Sequence, residues 1–205
     1  MGASGAGKTS LLNILSDRIS NTRGTELSGK MMINDSMELN DDNFGLVSGY
    51  VMQDDILFEH FTPREALKFA ADLKLGHLSE EEKWTRIDTL IMQLGLKGAQ
   101  NTQIGSVIRK TLSGGERKRT AIAVELITNP SIILLDEPTS GLDSFKATQI
   151  VKLLQNLARQ GKTIISTIHQ PSSESFNLFD RLLLMSDGHC VYQGDANKSA
   201  DYFRQ

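Results

Sequence analysis

Gly2-Ala-Ser-Gly-Ala-Gly-Lys-Thr9, running into Ser10-Leu-Leu-Asn-Ile-Leu, leaves this chain few ways to fold. The stretch fits G-x-x-x-x-G-K-[ST], a loop that ends in a helix start and wraps phosphates with its backbone. Gly2, Gly5 and Gly7 let the main chain turn and approach a phosphate with no Cβ in the way. Successive N–H groups then face inward as an anion nest, backed by the positive end of the helix. Lys8 is placed to reach β- and γ-phosphates as a point charge, and the Thr9 hydroxyl to ligate Mg²⁺. The plain alternative is a Gly/Ala-rich turn before a helix. The Gly-Lys-Thr ending, with Leu11, Leu12, Leu15 and Ile19 at helical spacing behind it, favours binding of a nucleoside triphosphate.

The 205 residues suffice for one domain with a sizeable core. A net charge of −3 offers no basic field for nucleic acid, and the main basic cluster, Glu116-Arg117-Lys118-Arg119, reads as a solvated helix face. The single cysteine, Cys190, has no partner for an internal disulfide, which suits a reducing compartment. No apolar run approaches the roughly 18 residues that cross a bilayer. A phosphate loop normally hangs from the end of a buried strand. Only Met1 precedes it here, so the expectation is a domain cut at its front edge, lacking that strand.

Along the chain, Thr9 to about Arg18 predicts the helix after the loop, Asn21–Gly24 a turn, and Gly29–Asn34 a short strand followed by a polar loop through Asn43. Leu46–Met52 predicts a strand ending at Gln53-Asp54-Asp55. Thr62, Pro63 and Glu65 form a capping box with proline at the first helical position, and Ser79 with Glu82 forms a second. The two helices they open have no strand between them and predict an inserted helical subdomain. Trp84, on the second, reads as a packing residue. Leu112-Ser-Gly-Gly-Glu116 leads into a helix through Ile127, and Ser144–Arg159 predicts another. Ser131–Asp136 and Lys162–Ile168 are continuous apolar runs, the pattern of strands buried on both faces. Pro171–Phe179 holds a short helix, and Asp187-Gly188 predicts a two-residue hairpin turn. Strands alternating with helices make this an α/β chain with a mainly parallel sheet flanked by helices.

Ligands of such sheets gather at the carboxyl ends of strands. Three predicted strands end in polar residues there: Gln53, Asp136-Glu137 and His169. Asp136 suits a second protein contact to Mg²⁺. Glu137 follows it, placed to orient and deprotonate an attacking water. A turn or helix-capping carboxylate is the alternative for that pair, an exposed loop residue for Gln53, and a packing residue for His169. His60, His77 and His189 are read as ordinary surface or packing histidines. Ser113-Gly114-Gly115 is a second anion-binding helix start, more than 100 residues from the first. One nucleotide rarely needs both from one protomer, so a second copy is expected to supply the second.

Gly2–Thr9, Gln53, Leu112–Glu116, Ile132–Glu137, Ser140-Gly-Leu-Asp143 and His169 stand in the order and spacing of an ABC-type P-loop ATPase domain. They resemble its Walker A loop, Q-loop, signature, Walker B strand, D-loop and switch histidine. Tyr50-Val-Met-Gln-Asp-Asp, Ser113-Gly-Gly-Glu-Arg-Lys-Arg, Pro138-Thr-Ser-Gly-Leu-Asp-Ser and Thr167-Ile-His-Gln-Pro-Ser resemble more narrowly the G subfamily of half-transporters. The resemblance implies a head-to-tail dimer. ATP would sit on Gly2, Ser4, Gly5, Gly7, Lys8, Thr9 and Ser10 of one copy, with Mg²⁺ on Thr9, Gln53 and Asp136. Ser113, Gly114 and Gly115 of the other copy would close over it, Asp143 coupling the sites. Glu137, Gln53 and His169 would serve hydrolysis.

It further implies a nucleotide-binding core of residues 1–53 and 112–205 and a helical, signature-bearing subdomain over about 56–111. A transmembrane domain would dock near Gln53–Phe61, on the cytoplasmic face of a membrane, with no nucleic-acid partner. Ile56, Leu57, Phe58 and Phe61 fit such a docking surface, or else plain subdomain packing. The function so implied is ATP hydrolysis driving transport. The other readings are a non-hydrolysing module that binds nucleotide or a partner, and an ABC ATPase acting on DNA or ribosomes. The last is disfavoured because the 60 residues between Gln53 and Ser113 leave no room for long coiled-coil arms.

Overall fold

The computed structural model describes residues 1–19, 26–38, 44–45, 47–105 and 111–204. The predicted turn at 21–24, Leu46 and the loop at 41–43 lie outside them. The phosphate loop opens α1 (Lys8–Leu15), with Gly7 in the left-handed region at φ 90°. Two short strands, β1 (Met32–Ile33) and β2 (Met37–Glu38), pair antiparallel. The sequence marks only the first, because Met37-Glu38 sits in a run of polar residues with no alternation long enough to read. β3 (Ser48–Val51) follows, then α2 (Pro63–Lys74) and α3 (Glu80–Gln93).

Both predicted capping boxes form. Glu65 N–H donates to Thr62 Oγ1 at 3.2 Å while Thr62 N–H donates to the Glu65 carboxylate at 2.8 Å. The same reciprocal pair joins Ser79 and Glu82. Each satisfies two donors that the first helical turn leaves orphaned. Thr62→Ala is expected to cost about 1 kcal/mol, seen as a melting temperature about 2–4 °C lower, with the Glu65 side chain freed. Ion pairs from Lys68 and Lys83 to Asp72 and Glu80 tie the exposed side of α2 to α3.

α4 (Gly114–Leu126), β4 (Ile132–Leu135), α5 (Ser144–Arg159) and β5 (Thr163–Ser166) complete the centre. β3, β4 and β5 form a parallel sheet in that order, Ser48 opposite Ile132 and Ile132 opposite Thr163. β4 lies in the middle, and Ile133, Leu134 and Leu135 are buried as its apolar run predicts. Ile133 and Leu135 share one core with Leu67, Ile87, Ile91, Ile122, Leu126, Ile150 and Leu157, so α2 and α3 pack onto the same apolar body as the sheet. Each such side chain contributes about 1.5–3 kcal/mol by burial.

β5 departs from expectation. Its residues alternate exposed and half-buried, with Ile165 38% exposed, where the apolar run predicts burial on both faces. Edge position alone is not the reason, since β3 at the other edge is largely buried; the open space beside β5 is. A cavity of about 380 Å³, lined by Leu12, Leu15, Ile164, Ile165 and Leu183, separates it from β6.

After α6 (Ser173–Phe176), β6 (Arg181–Ser186) and β7 (His189–Asp195) form the predicted hairpin. Asp187 and Gly188 both take positive φ, 48° and 78°, as a type I′ turn requires. The hairpin anchors the phosphate loop. Met185 N–H donates to Met1 O at 2.9 Å, the Met1 amino group donates to Leu183 O, and Gly2 bridges to Met185. A Cβ on Gly2 would meet Met185 O at 2.3 Å, so only glycine allows this approach. A single turn of helix, α7 (Ser199–Tyr202), follows.

Candidate functional site

The amino end of α1 and the carboxyl ends of β4 and β5 converge. Lys8 is 7% exposed, and its ammonium donates to Gly2 O at 3.0 Å and Ala3 O at 2.8 Å. It also stands 4.0 Å from the Glu137 carboxylate. Thr9 Oγ1 donates to Asp136 Oδ1 at 3.0 Å across 127 residues of sequence. The loop and the carboxylates after β4, linked on paper only by residue type, are therefore one constellation.

Thr167, just past β5, organises it. Its hydroxyl donates to Asp136 Oδ1 at 2.5 Å and accepts from Glu137 N–H at 2.8 Å. Glu137 needs that support. It sits at φ 41°, a left-handed conformation a glutamate rarely adopts, at a cost of order 1–3 kcal/mol. The resulting kink turns its carboxylate away from the sheet and toward the loop lysine. Thr167 is absent from the sequence-derived candidates. Its signal was available, since it directly follows β5, two residues before His169, but a threonine in a β-run reads as ordinary strand composition.

His169 is exposed and borders two cavities. One, of about 1030 Å³, is lined by Gly2, Ala3, Ser4, Gln170 and Phe176. The other, of about 450 Å³, is lined by Glu137, Ser140, Gly141 and Leu142. The histidine thus stands between the phosphate loop and the glutamate. Gly5 and Gly7 have positive φ of 79° and 90°, and Ser4, Thr9 and Ser10 are exposed on the open side of the loop. Among the described residues no three His, Cys, Asp or Glu side chains form a metal cage. The Thr9 hydroxyl and Asp136 carboxylate are hard oxygen donors of the kind Mg²⁺ takes. That ion commonly draws its remaining ligands from phosphate and water.

Five expected members stand apart. Gln53 lies two residues past β3 with an exposed side chain, outside both His169 cavities. Ser113 caps α4 and lines neither of those cavities. Its N–H and hydroxyl both donate to the Glu116 carboxylate, at 2.9 and 2.7 Å. Those contacts, the hydroxyl first, hold Glu116 below the usual carboxylate range. Gly114 and Gly115 open the first turn, whose N–H groups have no partner within a helix. Gly114 lies against Leu142, where an added Cβ would come within 3.0 Å. Asp143 caps α5, accepting from Lys146 N–H at 2.9 Å, and the Lys146 side chain lowers its pKa.

Two sequence readings change here. Lys118 is not part of a solvated face: it is 3% exposed and bonded to the β3 loop. The apolar stretch after Gln53 divides. Leu57 and Phe61 pack against Ala66, Ile104 and Leu112, while Ile56 and Phe58 are 77% and 58% exposed. No helix among the described residues is long and apolar enough to cross a membrane.

Residues 1–140 match the sequence family described as ABC transporter. Among curated proteins, ABC transporter G family member 26 of Arabidopsis thaliana is 45% identical over 204 residues, covering 99% of this chain and 29% of that protein. The rat broad substrate specificity ATP-binding cassette transporter ABCG2 is also 45% identical, over 99% of this chain and 30% of its own length. The chain therefore spans about three-tenths of these relatives. Among solved structures, cbiO1 from Clostridium perfringens, described as part of the ABC transporter complex cbiONQ, superposes with a TM-score of 0.82 at 25% identity. That superposition covers all of this chain and 78% of the other. With this fold and this phosphate loop, the chain belongs to the ABC transporter family as an ATP-binding domain resembling those of G family members.

Proposed function

We propose that the chain binds ATP with Mg²⁺ and hydrolyses it at a site completed by a second domain of the same kind, driving transport through a transmembrane partner. The observation that carries this is the meeting of Lys8, Thr9, Asp136 and Glu137, held by Thr167, at the mouth of the phosphate loop. Lys8 neutralises β- and γ-phosphate charge. Thr9 and Asp136 would hold Mg²⁺, which would supply positive charge against the charge developing on the phosphate. Glu137 orients a water and takes its proton at a carboxylate oxygen. His169 and Gln53 approach the γ-phosphate from the ends of the neighbouring strands.

Ser113–Gly115 line neither cavity at the phosphate loop and Glu137, which supports a head-to-tail pair, each copy's α4 start closing the other's site. Residues 56–111 then form the arm that carries that start. The exposed Ile56 and Phe58 support docking of a membrane domain. Phe58 stacks with Phe61 and Phe69 at centroid distances of 5.0 and 5.5 Å. Beside Ile56 opens a cavity of about 660 Å³ lined by Tyr50, Leu57, Lys74 and Val124. Such a partner would hold the chain at the cytoplasmic face of a membrane.

Phosphate release with and without Mg²⁺, in wild type and in Asp136→Asn, tests the reading. Turnover is expected to require Mg²⁺ and to fall about 10²-fold or more in the variant, as for loss of one preorganised electrostatic group. Mg²⁺-independent turnover, or turnover unchanged in Asp136→Asn, would sink the proposal.

A further inference from the structure

Lys118 is a buried cation that the site above does not use. It lies in the second turn of α4, five residues after Ser113, with a side chain 4% exposed. Its ammonium donates to Gln53 O at 2.9 Å and stands 2.6 Å from Asp55 Oδ1, whose side chain is 12% exposed. The second contact is an ion contact out of hydrogen-bonding line, since that oxygen accepts no aligned hydrogen bond. Arg117, beside it, donates to Gly105 O at 2.7 Å and Asp55 O at 3.4 Å. Two successive cations of one helix therefore grip the loop that follows β3 by its backbone and by one carboxylate.

Packing alone does not explain this arrangement. Removing an ammonium and a carboxylate from water is costly, and an apolar pair of similar volume holds two elements together at least as well. What the charged pair adds is direction: it fixes the Gln53 carbonyl, and so the base of the Gln53 side chain, to a rigid helix. Ser113 and Gly115 begin that same helix. A displacement of Gln53 must then carry α4 with it or stretch the contacts at the buried ammonium.

We propose that Lys118 and Asp55 are positioning residues that lock Gln53, at one nucleotide, to the Ser113–Gly115 helix start that closes over the other. Closure of the helix start over one nucleotide is thereby tied to the position of Gln53 at the other. This inference rests on the head-to-tail reading given above.

The test removes both charges together, Lys118→Met with Asp55→Asn, so that no lone charge stays buried. Melting temperature, affinity for a non-hydrolysable ATP analogue and steady-state MgATP turnover are measured on the same preparations. Affinity within about twofold of wild type with turnover about tenfold lower is expected, the split that marks an interaction felt after binding. Should Lys118→Met with Asp55→Asn not fold, Lys118→Gln with Asp55→Asn keeps a donor toward Gln53 O and is read the same way. Turnover unchanged, or affinity lost in step with turnover, overturns the inference while leaving the ATPase reading intact. A wild type that binds no nucleotide overturns both.

Discussion

Glu137→Gln is expected to stop hydrolysis while leaving ATP binding in place. Glutamine keeps the shape of the side chain, and the backbone that sets its direction is unaffected, since Glu137 N–H still donates to Thr167 Oγ1 at 2.8 Å. Two things change. An amide cannot take a proton from water, and the negative charge 4.0 Å from the Lys8 ammonium is gone. The first effect removes general-base assistance, worth about 10²–10⁴ in rate. The second leaves Lys8 free to serve phosphate alone, so affinity holds or rises. Phosphate release and equilibrium binding of radiolabelled ATP, measured side by side, separate the two. Loss of binding together with turnover would mean that Glu137 shapes the loop and takes no part in chemistry.

Lys8→Ala is expected to have the opposite signature, with both binding and turnover lost. Lys8 is buried at the floor of the loop and bonded to the Gly2 and Ala3 carbonyls. Its ammonium is the one cation within reach of Glu137 among the described ion pairs. Without it the loop keeps its N–H nest and loses the charge that answers the β- and γ-phosphates. Loss of one such contact costs about 10²–10³ in turnover. Lys8→Arg is not expected to rescue, because a planar fork cannot occupy the place of a compact ammonium between two carbonyls. Nucleotide affinity by fluorescence titration, with melting temperature as a control for folding, decides the matter. Affinity retained in Lys8→Ala would remove the lysine from the phosphate site.

Much of the fold was legible because local chemistry and tertiary structure agree. Thr62-Pro-Arg-Glu65 and Ser79-Glu-Glu-Glu82 write their own helix starts, and α5 begins and ends where its sequence says. Asp187-Gly188 has the backbone that its residues favour. The chain was least legible where the outcome depends on neighbours in space. Thr163-Ile-Ile-Ser166 reads as a buried strand, yet Ile165 borders a cavity and is exposed, and nothing within the strand encodes what will cover it.

Lys118 reads as solvent-facing among other charges, because the Asp55 that meets it lies 63 positions earlier and on another element. Thr167 was missed for a related reason: its importance lies in bonding two carboxylate residues 30 and 31 positions away. The loop glycines, Lys8, Thr9, Asp136 and Glu137 were found because phosphate and Mg²⁺ chemistry demands those types in that order. Their meeting in space needed the structure.

Mixing two inactive variants tests the composite site without reference to any transported substrate. Lys8→Ala disables the phosphate loop of its own chain, and Ser113→Arg blocks the helix start offered to a partner. In a mixed head-to-tail pair, one site inherits both lesions and the other inherits neither. Each variant alone is expected to be inactive, and an equal mixture to recover up to about a quarter of wild-type MgATP turnover, from random pairing with one intact site per mixed pair. A mixture as silent as its components, with both variants folded and Ser113→Arg still binding ATP, would mean that Lys8 and Ser113 of different chains never share a nucleotide.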